Sequence, residues 1–295
     1  MESLRRKTGM LRASGLRLGI GDDCAIFRPS AREDLLLTTD LLIENVHFEH
    51  HTHTGRDVGY KALARGLSDI AAMGGAPRFC LVSLAAGAGA SERWIRAFFA
   101  GLLELAKQTR TALAGGDMAR AKQTTCDIVV CGAVPRGRAL RRDGARPGDS
   151  IYVSGLLGGS ALGLETRRGL AWRRHKRPEP RLRLGIFLRE RVRASASMDV
   201  SDGLSLDLRR LCLASGVSAH IEAAPRFPGA SLEQALHGGE DYELLFTAPP
   251  RASVPSQFRG LALHRIGIIR KGRPGSVFLN GRRLPALGYD HFRNP

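Results

Sequence analysis

The sequence predicts a mixed α/β protein of two domains, and three observations carry that prediction. Runs of β-type residues alternate with amphipathic stretches along the chain. The 295 residues are enough for two compact domains or one large one. The segment 141–148, RRDGARPG, is a polar Gly/Pro break between two β-type runs. It sets the expected domains at 1–140 and 141–295.

In chain order, strands are expected at LLLT (35–38), FCLVSLA (79–85), IVVCGAV (128–134), SIYVS (150–154), SAHI (218–221), YELLFT (242–247) and HRIGII (264–269). Helices are expected over 57–73, 91–109, 159–168, 180–193 and 204–214. The first is the best marked. Val58, Ala62, Leu63 and Leu67 recur at helical spacing, and Gly74-Gly75 followed by Pro77 ends it. No short-period repeat appears, and no low-complexity segment beyond an arginine-rich stretch.

Composition narrows the function classes. With 43% hydrophobic and 25% charged residues, the chain is ordinary globular protein rather than disordered. No window approaches the ~18 apolar residues a membrane span needs. Residues 1–10 are charged and lead into no apolar core, so no secretory signal is read. Five scattered cysteines without a CxxC pair argue for reduced thiols in a cytoplasmic protein. The net charge of +17 raises nucleic acid as a partner, with much of the excess at 167–193. Essentially Trp172 alone offers a stacking platform there, so the stretch is read as a solvated helical face plus a basic loop.

The chemistry is written in the carboxylates, only 28 against 45 Lys plus Arg. They recur in short glycine-containing or apolar segments: GIGDD (19–23), TTD (38–40), LSD (67–69), GGD (115–117), DVSDG (199–203) and GGED (238–241). Each has a plain alternative. Asp69, mid-helix, suits a hydrogen-bonded structural group; Asp40, at the end of a predicted strand, and Asp117 and Asp202, at element ends, suit caps and turns. Caps do not account for six segments of one type, mostly where loops gather into a site. Clustered carboxylates repel unless a cation neutralises them, and oxygen donors favour Mg²⁺ or Mn²⁺, which bridge carboxylates to phosphates. Glycines beside the acids let the backbone approach phosphate oxygens.

Simpler phosphate motifs are missing. There is no GxxxxGK[ST] loop and no HRD/DFG set. The turn SGLLGGS (154–160) lacks GxGxxG spacing and reads as a tight strand-to-helix connection with room for a phosphate nearby. His47, His50, His51 and His53 alternate with polar residues in an expected exposed loop, and metal binding is disfavoured there. His47, directly after a strand in NVHF, is a candidate substrate contact.

Taken in order, GIGDDCA (19–25), TTDLLIENVHF (38–48), YKALARGLSDIAAMGG (60–75), GGD (115–117), DVSDGL (199–204), GGEDYELLF (238–246) and GYDHF (288–292) resemble the thiamine-monophosphate kinase family. The resemblance spans nearly the whole chain. The wider superfamily includes aminoimidazole ribonucleotide synthetase, selenophosphate synthetase and a hydrogenase maturation protein; TTDLLIENVHF together with GGEDYELLF points to the thiamine branch. The resemblance implies a two-domain aminoimidazole ribonucleotide synthetase-like fold, with an N-terminal mixed sheet that pairs across a homodimer and a C-terminal α/β domain. It implies phosphoryl transfer from ATP to thiamine monophosphate with Mg²⁺. Position by position, it implies metal ligands at Asp23, Thr38, Thr39, Asp40, Asp69, Asp117, Asp199 and Asp202. ATP contacts are implied at Gly116, Asp117, Arg142 and Ser201, and substrate contacts at His47, Glu240 and Tyr289. No catalytic acid or base is implied, because the attacking phosphate oxygen is already anionic. Two departures stand out. Met118-Ala119 follow GGD where the family has two threonines, and Gly66 replaces a common asparagine.

Two alternatives stay open: another enzyme of the superfamily, and a nucleic-acid-binding protein exploiting the basic surface.

Overall fold

The computed structural model describes residues 14–18 and 26–289. Asp23 and the rest of GIGDDCA lie outside the described residues, as does the end of GYDHF. The chain divides into two compact units, one built from residues up to 70 with 75–138, the other from 71–74 with 139 onward.

The first unit opens with a short antiparallel pair, β1 (Leu16–Leu18) and β2 (Ile26–Phe27). Its body is β3 (Glu33–Ile43), α1 (Gly55–Ala72), β4 (Ala76–Ala86), α2 (Glu92–Thr109), β5 (Ala112–Arg120) and β6 (Thr125–Pro135). The four long strands form one sheet in the order β3-β6-β4-β5. The β4–β5 pair is parallel, as a helical crossover permits, and the other pairs are antiparallel. Ser91 caps α2 by accepting from the Trp94 N–H at 3.2 Å.

α1 packs against β3 and β6, where Gly66 faces Val130 and Asp40, and α2 packs against α1. A Cβ on Gly59 would lie 1.9 Å from the Phe98 carbonyl oxygen, and one on Gly101 would lie 1.9 Å from that of Arg56. Glycine at both positions lets the helix backbones touch. Leu42, Leu63, Leu67, Phe98, Leu102 and Ile128 fill the core beneath them. β3 shows the alternation of a sheet covered on one face: Leu36 and Leu42 are buried, while Leu35, Leu37 and Leu41 are exposed. Two expectations are corrected. β3 runs through Thr38, Thr39 and Asp40 instead of ending there, and Asp117 lies inside β5, an unforeseen strand.

The second unit contains β7 (Ser150–Ser154), α3 (Gly159–Thr166), α4 (Gly169–Lys176), α5 (Leu182–Phe187), a π-helical turn (Leu188–Val192), β8 (Ala196–Val200) and α6 (Leu204–Ser215). It continues with β9 (Ser218–Ile221), α7 (Leu232–His237), β10 (Glu243–Ala248), β11 (Gln257–Phe258), β12 (Leu261–Arg270), β13 (Val277–Leu279) and β14 (Arg282–Arg283). The sheet order is β14-β13-β9-β12-β7-β10-β8, with β11 on β12. β10 is buried on both faces: Leu245 joins a core with Ile151, Met198, Leu208 and Leu211, while Leu244 and Phe246 join another with Leu184 and Leu188.

The arginine-rich stretch is only in part the solvated face expected: Arg167, Arg168, Arg173, Arg183, Arg191 and Arg193 are exposed, while Arg174, Arg181 and Arg189 turn inward. Glu243 is fully buried and takes charge-assisted bonds from Arg174 (2.8 Å) and Arg181 (2.6 and 2.9 Å). Arg189, also buried, donates to the Gly74 carbonyl at 2.7 Å. A carboxylate removed from water needs such partners, and they draw the arginines inward. The expected single helix over 180–193 is α5 plus the π-helical turn. No described helix is long and apolar enough to cross a membrane.

Candidate active site

The sequence-predicted residues fall into two groups, one in each unit. In the first, the period of two along β3 separates neighbours. Thr38 and Asp40 face α1, where Thr38 Oγ1 donates to Asp69 Oδ2 at 2.5 Å and Arg65 meets Asp40 Oδ1 at 3.3 Å. Thr39 faces the opposite side and donates to Asp127 Oδ1 at 2.5 Å. Asp127 stands in register with Ser83 of β4, and Ser83 with Asp117 of β5. Asp117 is exposed and accepts from the Met118 N–H at 2.8 Å. Gly116 has φ of 151°, and a Cβ there would lie 1.9 Å from the Val82 carbonyl oxygen, so strand packing already demands glycine.

Charge is concentrated at this end of the sheet. Burial pushes the Asp40 carboxyl up to about 6, with Arg65 pulling it down and the Asp69 and Asp127 charges adding to the rise. Asp127 and Arg65 were not singled out from sequence. Asp127 is an isolated acid within an apolar strand, and only its register with Thr39 and Ser83 reveals it.

His47 Nδ1 accepts from the Ile43 N–H at 3.1 Å, and its carbonyl accepts from the buried Lys61 Nζ at 3.4 Å. The expected exposed histidine loop is corrected. His53 is 3% exposed, and His50 packs edge-on to Trp94 at 4.8 Å with Nε2 3.0 Å from Thr124 Oγ1. Their apolar ring faces join an aromatic cluster with Phe48; only His51 stays at the surface, 3.3 Å from Glu49.

In the second unit, five predicted residues meet at the C-terminal end of β8. Asp199 lies in the strand, and Ser201 and Asp202 follow it. The Glu240 N–H donates to the Ser201 carbonyl at 2.7 Å, and the Tyr289 N–H donates to that of Asp202 at 2.9 Å. Gly203, at φ 107°, makes the turn into α6. Asp207, unforeseen from sequence, is fully buried and locks the loop by accepting the Ser201 and Asp202 N–H groups at 3.1 and 3.0 Å. Burial and the Asp202 charge push its carboxyl up to about 7. Its place in the first turn of a helix after DVSDG was the available signal. Arg210 pairs with both Asp202 and Asp207.

Arg142 does not join this group. The Ser197 N–H bonds the neighbouring Arg141 carbonyl, at the start of β8, and Ser201 lies roughly 13 Å further on at ~3.3 Å per residue. The turn after β7 also differs from expectation. Asp241 accepts the Gly158 and Ser160 N–H groups at 2.6 and 3.0 Å, so a carboxylate of the chain itself occupies the place considered for a phosphate.

Among the described residues, no three carboxylate, imidazole or thiol groups close into a metal cage. The donors present come as one or two carboxylates with hydroxyls: Asp40, Asp69 and Thr38 on one face, Asp127 and Thr39 on the other. That hard, anionic, incomplete set fits magnesium, which binds one or two carboxylates and fills its octahedron with water and phosphate oxygens.

Fold and site define an α/β protein of two units whose acidic, glycine-flanked segments suit metal-bridged phosphates. Residues 21–134 match the family model described as AIR synthase related protein, N-terminal domain. The chain is 36% identical over 309 aligned positions to thiamine-monophosphate kinase of Bacillus subtilis (strain 168), covering 95% of each. The crystal structure of thiamine-monophosphate kinase from Stenotrophomonas maltophilia K279a superposes with a TM-score of 0.84 at 37% identity, over 96% of both chains. A structure described as AaThiL complexed with AMPPCP and TMP gives 0.79 at 31% identity, over 90% of this chain and 89% of that one. The chain belongs to the thiamine-monophosphate kinase family.

Proposed function

We propose that this chain transfers the γ-phosphoryl group of ATP to thiamine monophosphate, giving thiamine diphosphate and ADP, with Mg²⁺ required. The observation that carries this reading is the gathering of Asp199, Ser201, Asp202, Glu240 and Tyr289 at one end of β8, in a chain of this family. A relative bound to AMPPCP and TMP supports ATP and thiamine monophosphate as the two substrates.

A phosphate oxygen of thiamine monophosphate, anionic near neutral pH, attacks the γ-phosphorus while the bond to the β-phosphate oxygen breaks, so no general base is needed. The metal ligands proposed are Asp23, Thr38, Thr39, Asp40, Asp69, Asp117, Asp199 and Asp202. Magnesium, when bound, neutralises phosphate charge and lets two polyanions approach. Gly116, Asp117, Arg142 and Ser201 are the proposed nucleotide contacts; Arg142 is the member that stands apart from Ser201. His47, Glu240 and Tyr289 are assigned to thiamine monophosphate. Glu240 offsets the thiazolium charge, and the exposed Tyr289 ring offers a face to a cationic heterocycle, worth roughly 0.5–2 kcal/mol.

The proposed domains are 1–140, for nucleotide, metal and dimerisation, and 141–295. The open face of the first sheet, with Leu35, Leu37 and Leu41 exposed, supports a homodimer formed through it. Buried free thiols at Cys80, Cys126, Cys131 and Cys212 suit the cytoplasm.

The test is direct. Purified protein with ATP, Mg²⁺ and thiamine monophosphate yields thiamine diphosphate, and EDTA abolishes it. Asp40→Asn lowers kcat roughly 100-fold with the fold retained by circular dichroism. No metal-dependent product from the native protein would overturn the assignment.

A further inference from the structure

We propose that His175, from the arginine-rich segment, is a positioning residue that holds Glu240 in the orientation thiamine monophosphate requires. The proposal rests on the reading of Glu240 as a substrate contact. Its basis is that Glu240 and Glu243, three residues apart in GGEDYE, both meet side chains from one segment, α4 through Arg181.

The backbone around Glu240 is already pinned. Glu240 and Tyr242 sit at φ 62° and 52°, left-handed values that non-glycine residues hold only when their surroundings enforce them. The enforcement is visible in the backbone bonds to Ser201 and Val200 and in the Asp241 carboxylate on the N-terminus of α3. The Glu240 side chain is 25% exposed and carries three rotatable bonds, so its direction needs a separate constraint. His175 Nδ1 supplies one at 3.4 Å from Oε2.

The imidazole is itself rigid. His175 is 2% exposed, its ring stacks on Trp172 at 5.2 Å and 9°, and Nδ1 lies 2.9 Å from Ser160 Oγ. α4 is tied down by Arg174, which bonds the fully buried Glu243 at 2.8 Å and the Leu156 carbonyl at 3.3 Å. Arg181 closes the same carboxylate from beyond the helix. A ring held by the Trp172 stack, with Nδ1 placed between Ser160 and Glu240, can hold a partly exposed carboxylate in place; a contact residue held this way keeps a productive geometry that a free side chain loses.

The experiment measures steady-state kinetics with each substrate varied in turn. His175→Phe keeps the stack on Trp172 and deletes Nδ1, while His175→Asn keeps a polar nitrogen near that position. The Phe variant raises KM for thiamine monophosphate roughly ten-fold, with kcat and KM for ATP within about two-fold of native. The Asn variant recovers most of the loss. Ser160→Ala, which removes the second partner of Nδ1 and leaves the stack untouched, changes the same KM about three-fold. In a Glu240→Ala background, His175→Phe adds nothing further.

The proposal is overturned if His175→Phe and Ser160→Ala leave this KM at the native value, or if the Phe substitution costs the same factor with and without Glu240. If Glu240→Ala raises the KM and His175→Phe does not, the positioning role alone falls. If Glu240→Ala itself changes nothing, the substrate-contact reading falls and takes the proposal with it.

Discussion

Asp241, outside the proposed metal ligands and their contacts, carries a pH signature of its own. Burial pushes its carboxyl from an ordinary 3.8 up to about 7, even though the Ser160 and Gly158 N–H groups favour the charged form. A carboxyl that binds its proton more tightly folded than unfolded loses stabilising effect as pH rises between those two values. Native stability from this group therefore declines from about pH 4 to about pH 7, by up to about 1 kcal/mol per pH unit. Asp241→Asn removes the ionisation, so urea unfolding across that window shows a shallower fall. The variant is also less stable at pH 7 by about 1–2 kcal/mol, because an amide presents one acceptor to two N–H donors.

At the scale of elements, two geometric rules place the site. The strand period sends Thr38 and Asp40 toward α1 and Thr39 toward Asp127, so three consecutive residues serve two faces of one sheet. The helix period puts Arg65 and Asp69 one turn apart on α1, facing the same patch of β3. α1 is in turn packed closely against α2. Gly59→Ala would set a Cβ 1.9 Å from the Phe98 carbonyl, so the helices must part. The expected cost is about 2 kcal/mol, read as a lower urea midpoint with an unchanged m-value.

For the whole molecule, the charge of +17 and the open apolar face pull against each other in solution. The charge disfavours self-association, whereas Leu37, 68% exposed, stands with Leu35 and Leu41 on a face that water wets at a cost. The apolar term is local and short-ranged, and salt screens the charge within about 8 Å at physiological ionic strength. The protein is accordingly expected to sediment as a dimer, and Leu37→Asp as a monomer, by analytical ultracentrifugation at that ionic strength. A monomeric native protein would remove the open face as an interface.

The sequence alone determined the α/β class, the approximate positions of most long elements, and the acidic segments worth watching. Those features follow from local periodicity and from residue types whose chemistry is the same in any fold. Asp40, Asp199, Asp202 and Glu240 were legible because glycine or hydroxyl neighbours marked them. Asp127 and His175 were not, since nothing adjacent in the chain distinguishes them from ordinary strand or helix residues; Asp241 shares the glycine-marked segment of Glu240 and Asp207 follows DVSDG, but the buried bonds they make were not legible there. Tertiary structure alone decided that Arg174 and Arg181 of the basic stretch turn onto Glu243, that Asp241 fills a helix N-terminus, and that Thr39 and Thr38 part company. Each of those outcomes depends on burial and register, which arise only when segments remote in sequence exclude water from the same place.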